Sequence, residues 1–386
     1  MAPSSLQGFY GYTDTLSGVF YGPGSVSTAL PTLLSTLGTD VVKKIETILK
    51  DNEAYGATFY EIGEHAPIAG IRRGVKVFRD YECDVIVSVG GGSPIDAAKA
   101  ILHYSQEETG GPTLLQIAIP TTLSAAEYTI GAGFTNDQGD KVGVTSPKLA
   151  PAGIILDAEL TLPTPERLWL STGIRALDHA VEDLYRNETP HPIKVLCYAA
   201  IADLFTYLPA SKANPQDVAV RQRLQIASWM SLWPLKLERY SPLGLSHALG
   251  HRLGATYGIP HGITSCITLS PVVALKAEIE SQENKEALSK ALFYLHRQTT
   301  GDLDQDVLLL SRLIQELVTS LGLKSSLEDY KVPKEDVEKI AELALGSKEQ
   351  GVYDKRLAIA VTNIDEPIAR HIFVRNFGEA DGKPDL

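Results

Sequence analysis

The chain is poor in sulfur and has no clusters of basic residues. Cys83, Cys197 and Cys266 are its only cysteines, and an odd, widely spaced set builds neither a disulfide framework nor a zinc knuckle. A reducing compartment fits, and with it a cytoplasmic location. No run of Lys or Arg occurs and the formal charge is -12, which argues against nucleic acid, a partner held by neutralising its phosphates. No stretch approaches the ~18 consecutive apolar residues of a spanning helix. The opening MAPSSLQGFYGYTDTLSG lacks the basic and apolar regions of a leader. The expectation is a soluble protein without membrane partners that acts on a small molecule. An anionic substrate would need a local basic site.

What the chain does have is ordinary apolar content over 386 residues, enough for a large core in two domains or one big α/β unit. DVIVSVG (84–90), LLQIAIP (114–120) and AGIILD (152–157) are continuous β-branched or apolar runs, the pattern of parallel strands buried on both faces. IAGIRRGVKVFRDY and SPIDAAKAILHY between them carry helical spacing. Together they predict a doubly wound α/β domain with a parallel sheet over 1–160. Beyond TLPTPERLWL the composition turns helical, which predicts an all-helical domain over 161–386. One interval is anomalous. GSVSTALPTLLSTLG and DVVKKIETILKDN both read as helices, yet only Thr39 separates Gly38 from Asp40, leaving no room for the strand that should lie between them.

Three segments carry chemistry. In VSVGGGSPIDAAKA, Gly90, Gly91 and Gly92 join a strand to a helix, with Ser93 as a natural N-cap and Pro94 in the first turn. Such a loop lets a pyrophosphate approach the free N–H groups of the helix start, although an ordinary tight turn has the same composition. Asp96 reads equally as a helix-dipole residue or as a polar contact in a cleft. IPTTLSAAEY, after the next strand, is rich in hydroxyls and suits either ligand contact or capping. In GLSHALGHRLGATYGIPHGITSC, His247 and His251 share a helical face and His261 follows a Gly-Pro turn. With His179 they form a set suited to holding a metal or to moving protons near neutral pH.

YGPGSV, VGGGSPIDAAK, IPTTLSAAE, STGIRALDHAVE and GLSHALGHRLG followed by PHG resemble the iron-containing (group III) alcohol dehydrogenase family, and its maleylacetate reductase branch in particular. The resemblance spans most of residues 15–275. It implies a dinucleotide-binding α/β domain, a helical domain, and an active site in the cleft between them. It further implies that Gly91, Gly92 and Ser93 contact the pyrophosphate of NAD(P)H, that Thr121 and Thr122 line the cofactor, and that Lys141 approaches its ribose. In metal-dependent members an aspartate and three histidines hold the ion. The histidines match His179, His247 and His261, but the aspartate's position is Arg175 here.

A guanidinium cannot be deprotonated in a protein and opposes a divalent cation. Asp178 points about 100° away from His179 around a helix and is a poor substitute ligand. No metal is therefore expected. Arg175 would instead bind a carboxylate, enolate or phenolate oxygen while His251 or His247 gives or takes the proton. The alternative is that Arg175 turns outward or pairs with Glu182 or Asp178. The expected function is metal-independent, NAD(P)H-dependent reduction of a small carbonyl, enone or oxo-acid. A non-redox isomerase, dehydratase or cyclase that reuses the His/Arg cleft is the alternative, because in the family the strand missing here helps bind the cofactor ribose. The C-terminal RLAIAVTNIDEPIARHIFVRNFGEADGKPDL departs from the family pattern, and an exposed strand edge left by the missing strand would favour a homodimer.

Overall fold

The computed structural model describes residues 6–11, 18–23, 25, 44–63, 66–139, 141–186, 189–232 and 243–345. The interval at 38–40 and the atypical C-terminal stretch both lie outside the described residues. The chain forms two compact units, Met1–Trp169 with Ala210–Glu238, and Leu170–Pro209 with Arg239–Leu386.

In the first unit a sheet is assembled from β1 (Gly8–Gly11), β2 (Gly18–Tyr21), β3 (Val85–Gly90), β4 (Leu115–Pro120) and β7 (Gly153–Leu156), in the order β1-β2-β7-β4-β3. All neighbours are parallel except β1 and β2. The three apolar runs are thus β3, β4 and β7, and they are apolar throughout because helices cover both faces. Helix α1 (Lys44–Asp51) sets Ile45 and Leu49 against Val85, Val87, Ile117, Ile119 and Ile155. Ile86, of opposite parity in β3, packs instead with Ile71 and Phe78 of α2 (Ile68–Asp80) and Ala97 and Ile101 of α3 (Gly92–Thr109). A separate hairpin, β5 (Gly131–Thr135) with β6 (Lys141–Thr145), adjoins this second cluster.

The first unit's leading segment runs to Trp169, and a second segment, Ala210–Glu238, also belongs to it. Four helices follow β7: α4 (Glu166–Tyr185), α5 (His191–Ala213), α6 (Val218–Ser231) and α7 (Leu245–Tyr257). Of these, α6 belongs wholly to the first unit. Its buried polar side chains explain why. Gln222 donates to the carbonyl of Leu156 at the end of β7, Gln225 to that of Pro120 at the end of β4, and Arg221 to that of Thr161. A buried carbonyl left unpaired is costly, so these bonds hold the helix on the strand ends.

The second unit is helical. Besides α7 it contains α8 (His261–Ile279), α9 (Gln282–Tyr294), α10 (Leu303–Ser320) and α11 (Val337–Leu345). Helix α8 is buried along nearly its whole length, with α7 and α10 packed on it, while α11 packs on α7. By length and composition α5 and α8 could each cross a membrane, contrary to the expectation from runs of apolar residues alone. In α8 that apolarity is the signature of a core helix.

Candidate active site

Two groups of residues carry the chemistry, one in each unit. In the first, β3 ends at Gly90, whose φ of 143° is strained for any residue with a side chain. The helix starts two residues earlier than expected. Its N-cap is Gly91, which offers no side-chain bond, and Ser93 lies inside the first turn instead of capping it. The backbone makes this turn by itself, so the N–H groups of the helix start lack a side-chain cap and are placed for an anion.

The hydroxyl loop closes onto this turn. Thr121 N–H donates to the carbonyl of Gly90, and a Cβ added to Gly91 would come within 3.1 Å of Thr122 Cγ2. At Gly92 it would come within 3.3 Å of Ser124 Oγ. The structure therefore brings Gly91, Gly92, Thr121 and Thr122 together, and the cradle they form fits a dinucleotide pyrophosphate. Lys141 opens β6 opposite Thr135.

Asp96 lies beyond the first turn of the helix, so it is not a dipole residue. Its Oδ2 accepts the Gly133 N–H. Lys99, fully buried, donates to the carbonyls of Ala126 and Gly131 and to Thr129 Oγ1 at 2.7–2.9 Å. Burial lowers the Lys99 pKa, and it raises that of nearby Glu127 to about 7. These residues tie α3 to the segment following the hydroxyl loop, and nothing in their spacing announced it.

In the second unit Arg175, Asp178, His179 and Glu182 lie at helical spacing on α4, and all four are buried. Arg175 turns inward. Its Nη1 lies 3.2 Å from Ser265 Oγ and 3.6 Å from Asp178 Oδ2. Asp178 is therefore part of the site despite its angular offset from His179. Its Oδ2 accepts hydrogen bonds from Ser265 at 2.5 Å and Ser246 at 2.9 Å. Glu182 Oε1 accepts the Ser246 N–H and the Tyr185 hydroxyl, and its Oε2 lies 2.7 Å from His247 Nδ1.

Small residues make the room. A Cβ at Gly250 would stand 2.8 Å from Thr264 Oγ1 and 3.4 Å from Arg175 Nη1, and one at Gly244 would stand 2.6 Å from Glu182 Oε1. The rings of His179 and His247 are 4.7 Å apart, and those of His251 and His261 are 5.6 Å apart. His179 and His247 are buried, whereas His251 is exposed.

Burial sets the charge states. It holds His179 and His247 well below the usual histidine range, with the Arg175 cation acting in the same direction. It pushes the Asp178 carboxyl up to about 8, with the neighbouring Glu182 adding to the shift, and it raises Glu182 too. Two carboxyls this close do not both ionise easily, so the pair favours retention of a proton.

Asp178, Glu182 and His247 offer ligand atoms within 4.8 Å of one another, and Asp178 Oδ1 and His247 Nε2 accept or donate no hydrogen bond among the described residues. The Asp178 oxygen that faces His247 already accepts two hydroxyls and faces a guanidinium, and both Glu182 oxygens are engaged. A metal held through those oxygens would have to displace these bonds and sit beside the Arg175 cation. The hydroxyls of Ser246 and Ser265 escaped the sequence reading. The one signal for them was the position of Ser246 beside His247.

Residues 30–158 match the iron-containing alcohol dehydrogenase family, and residues 169–366 match the C-terminal region of the same Fe-containing family. A maleylacetate reductase of Rhizobium sp. (strain MTP-10005) is 29% identical over 229 residues, an alignment covering 57% of this chain and 63% of that protein. Maleylacetate reductase 1 of Cupriavidus pinatubonensis is 28% identical over 342 residues, covering 85% and 88%. The crystal structure of maleylacetate reductase from Rhizobium sp. strain MTP-10005 superposes with a TM-score of 0.74 at 24% identity, covering 94% of this chain and 99% of that one. These relatives are reductases, and the chain is an enzyme of the oxidoreductase class. The glycine cradle, the histidines at their spacing and the match along both units make it a member of the iron-containing alcohol dehydrogenase family.

Proposed function

We propose that the protein is a metal-independent, NAD(P)H-dependent reductase of a small oxo-acid or enone, similar in reaction to maleylacetate reductase. The observation that carries this reading is the buried Arg175, aimed into the histidine and carboxylate network where metal-dependent relatives place an acidic ligand.

The cradle formed by Gly91, Gly92 and the start of α3 would hold the pyrophosphate, with Ser93, Thr121 and Thr122 beside it. When bound, the nicotinamide supplies a hydride to the substrate carbon. Arg175 has five N–H donors in a rigid fork. Nη1 is committed to Ser265 and Asp178, and the remaining donors would bind the substrate oxygen and the charge developing on it. His247, oriented by Glu182, would pass on, from Nε2, the proton that completes the reduction, with the carboxyl pair resupplying Nδ1. His179, His251 and His261 would line the same network.

Titration with NADH and NADPH, followed by fluorescence, tests the reading. Saturable binding of one cofactor and substrate-dependent loss of nicotinamide absorbance in the presence of chelator are expected. Absence of binding by either at about 1 mM, the upper end of ordinary KM values, would sink it. Loss of turnover on chelation would overturn the metal-independent part alone.

A further inference from the structure

The first unit holds a cavity of about 530 Å³ between β3 and the chain at 53–62, lined also by α2 and α3 and reaching Val89 and Pro94 beside the glycine turn. Among the described residues β3 has no strand on this side. Exposed edges are normally blunted by charge, proline or a bulge. Among the described residues β3 itself carries none of these: it reads VIVSVG, with Val85 and Val87 buried against α1.

The facing segment ATFYEIG (57–63) has the composition of a strand but pairs with nothing in a ladder. It is anchored all the same. A Cβ at Gly56 would meet Cys83 Sγ at 2.8 Å, and one at Gly74 would meet Phe59 Cε1 at 3.2 Å. Phe59, Phe78 and Ile101 give the slot apolar walls. Strand spacing, rise and sheet thickness allot roughly 160 Å³ to each residue of a packed strand, so the slot takes about three to four residues fully enclosed.

We infer that this slot binds an extended polypeptide strand, supplied by another chain and added in parallel to β3, with a basic residue at its start followed by β-branched residues. Edge addition draws affinity from main-chain hydrogen bonds and specificity from side-chain pockets. Direction follows from charge. Glu82 and Asp84 lie just before β3, and Glu53 lies just before the facing segment, so all three carboxylates sit at one end of the slot. A parallel strand brings its first residues to that end, and an antiparallel one brings its last. Tyr55, Tyr60 and Tyr81, exposed by 37%, 86% and 61%, line the opening.

The test uses the full chain and a fluorescent synthetic peptide with a basic N-terminal pair followed by Val, Ile and Thr residues matching the six of β3. Saturable anisotropy is expected, with hydrogen-exchange protection confined to 54–60 and 85–90. Moving the basic pair to the C-terminus, or placing proline at the centre, should each weaken binding by about tenfold or more. Absence of saturable binding, equal binding of the proline peptide, or protection elsewhere would overturn the inference. So would a homodimer by sedimentation whose β3 edge is already protected and is not released by peptide, which would make a second copy the occupant.

Discussion

His247 turns its Nδ1 onto Glu182 Oε2 at 2.7 Å, while its Nε2 has no hydrogen-bond partner among the described residues. The carboxyl thereby fixes which ring nitrogen faces the rest of the site, a division of labour between orienting and reacting groups. Glu182→Gln keeps the shape and removes the charge. It is expected to lower kcat/KM by about 10²-fold and to shift the pH profile downward, since an anion near the ring favours its protonated form. A loss of rate with an unmoved profile would make Glu182 a packing residue only.

Arg175 owes its place to a missing side chain. Gly250→Ala puts a methyl 2.8 Å from Thr264 Oγ1 and 3.4 Å from Arg175 Nη1. Crowding of this kind costs about 1–3 kcal/mol of stability. Turnover should fall together with Arg175→Lys, since an ammonium cannot reproduce the guanidinium's planar fork. Denaturant unfolding and steady-state kinetics on both variants check the pairing, and a Gly250→Ala enzyme of unchanged stability and rate would disprove it.

Metal content should follow the residue at position 175. Elemental analysis of protein purified without chelator is expected to give well under one Fe or Zn per chain. Arg175→Asp removes the opposing cation and restores the acidic ligand beside His179, His247 and His261. That variant should acquire metal when supplied with Fe²⁺ or Zn²⁺. Stoichiometric metal in the unaltered chain would refute the argument from charge.

Stability should fall as pH rises toward 8. The Asp178 carboxyl is pushed up to about 8 in the fold, far above an unfolded aspartate near 3.9. Its raised value favours the folded state fully at low pH, and that contribution is lost as pH rises through 8. His179 and His247, held low, act oppositely, but only below the unfolded histidine value of about 6.5. Between about 6.5 and 8 the carboxyl dominates among these three, at up to about 1.4 kcal/mol per pH unit for one proton. Asp178→Asn, which mimics the protonated acid, should flatten that slope in melts taken across the range.

The sequence made some of this plain and hid the rest for identifiable reasons. Continuous β-branched runs announced β3, β4 and β7, because strands covered on both faces cannot alternate. His247 and His251 were legible through helical spacing, and Arg175 through comparison with an expected aspartate. Of the partners of Arg175, Asp178, three positions on, was legible, and Ser265, 90 positions away, was not. Asp178 and Ser265 are separated by 87 positions, and pairings of that range leave no periodic trace. Reading Asp178 from its angle on one helix considered that helix alone, whereas α7 and α8 bring hydroxyls to it. Helix α6 was hidden differently. Its pattern says helix, but its allegiance to the sheet rests on Gln222 and Gln225 reaching strand-end carbonyls.

Lys99, two turns into the helix that follows the glycine turn, holds the segment after the hydroxyl loop through three oxygens. The glycine turn and the hydroxyl loop are also bonded directly, through the Thr121 N–H and the Gly90 carbonyl. A dinucleotide arriving there would meet a cradle already in shape, and little of its binding energy would be consumed in ordering the loops. The selectivity of that half of the enzyme would then lie in the fit of a fixed form, and movement on binding would have to come from elsewhere in the chain.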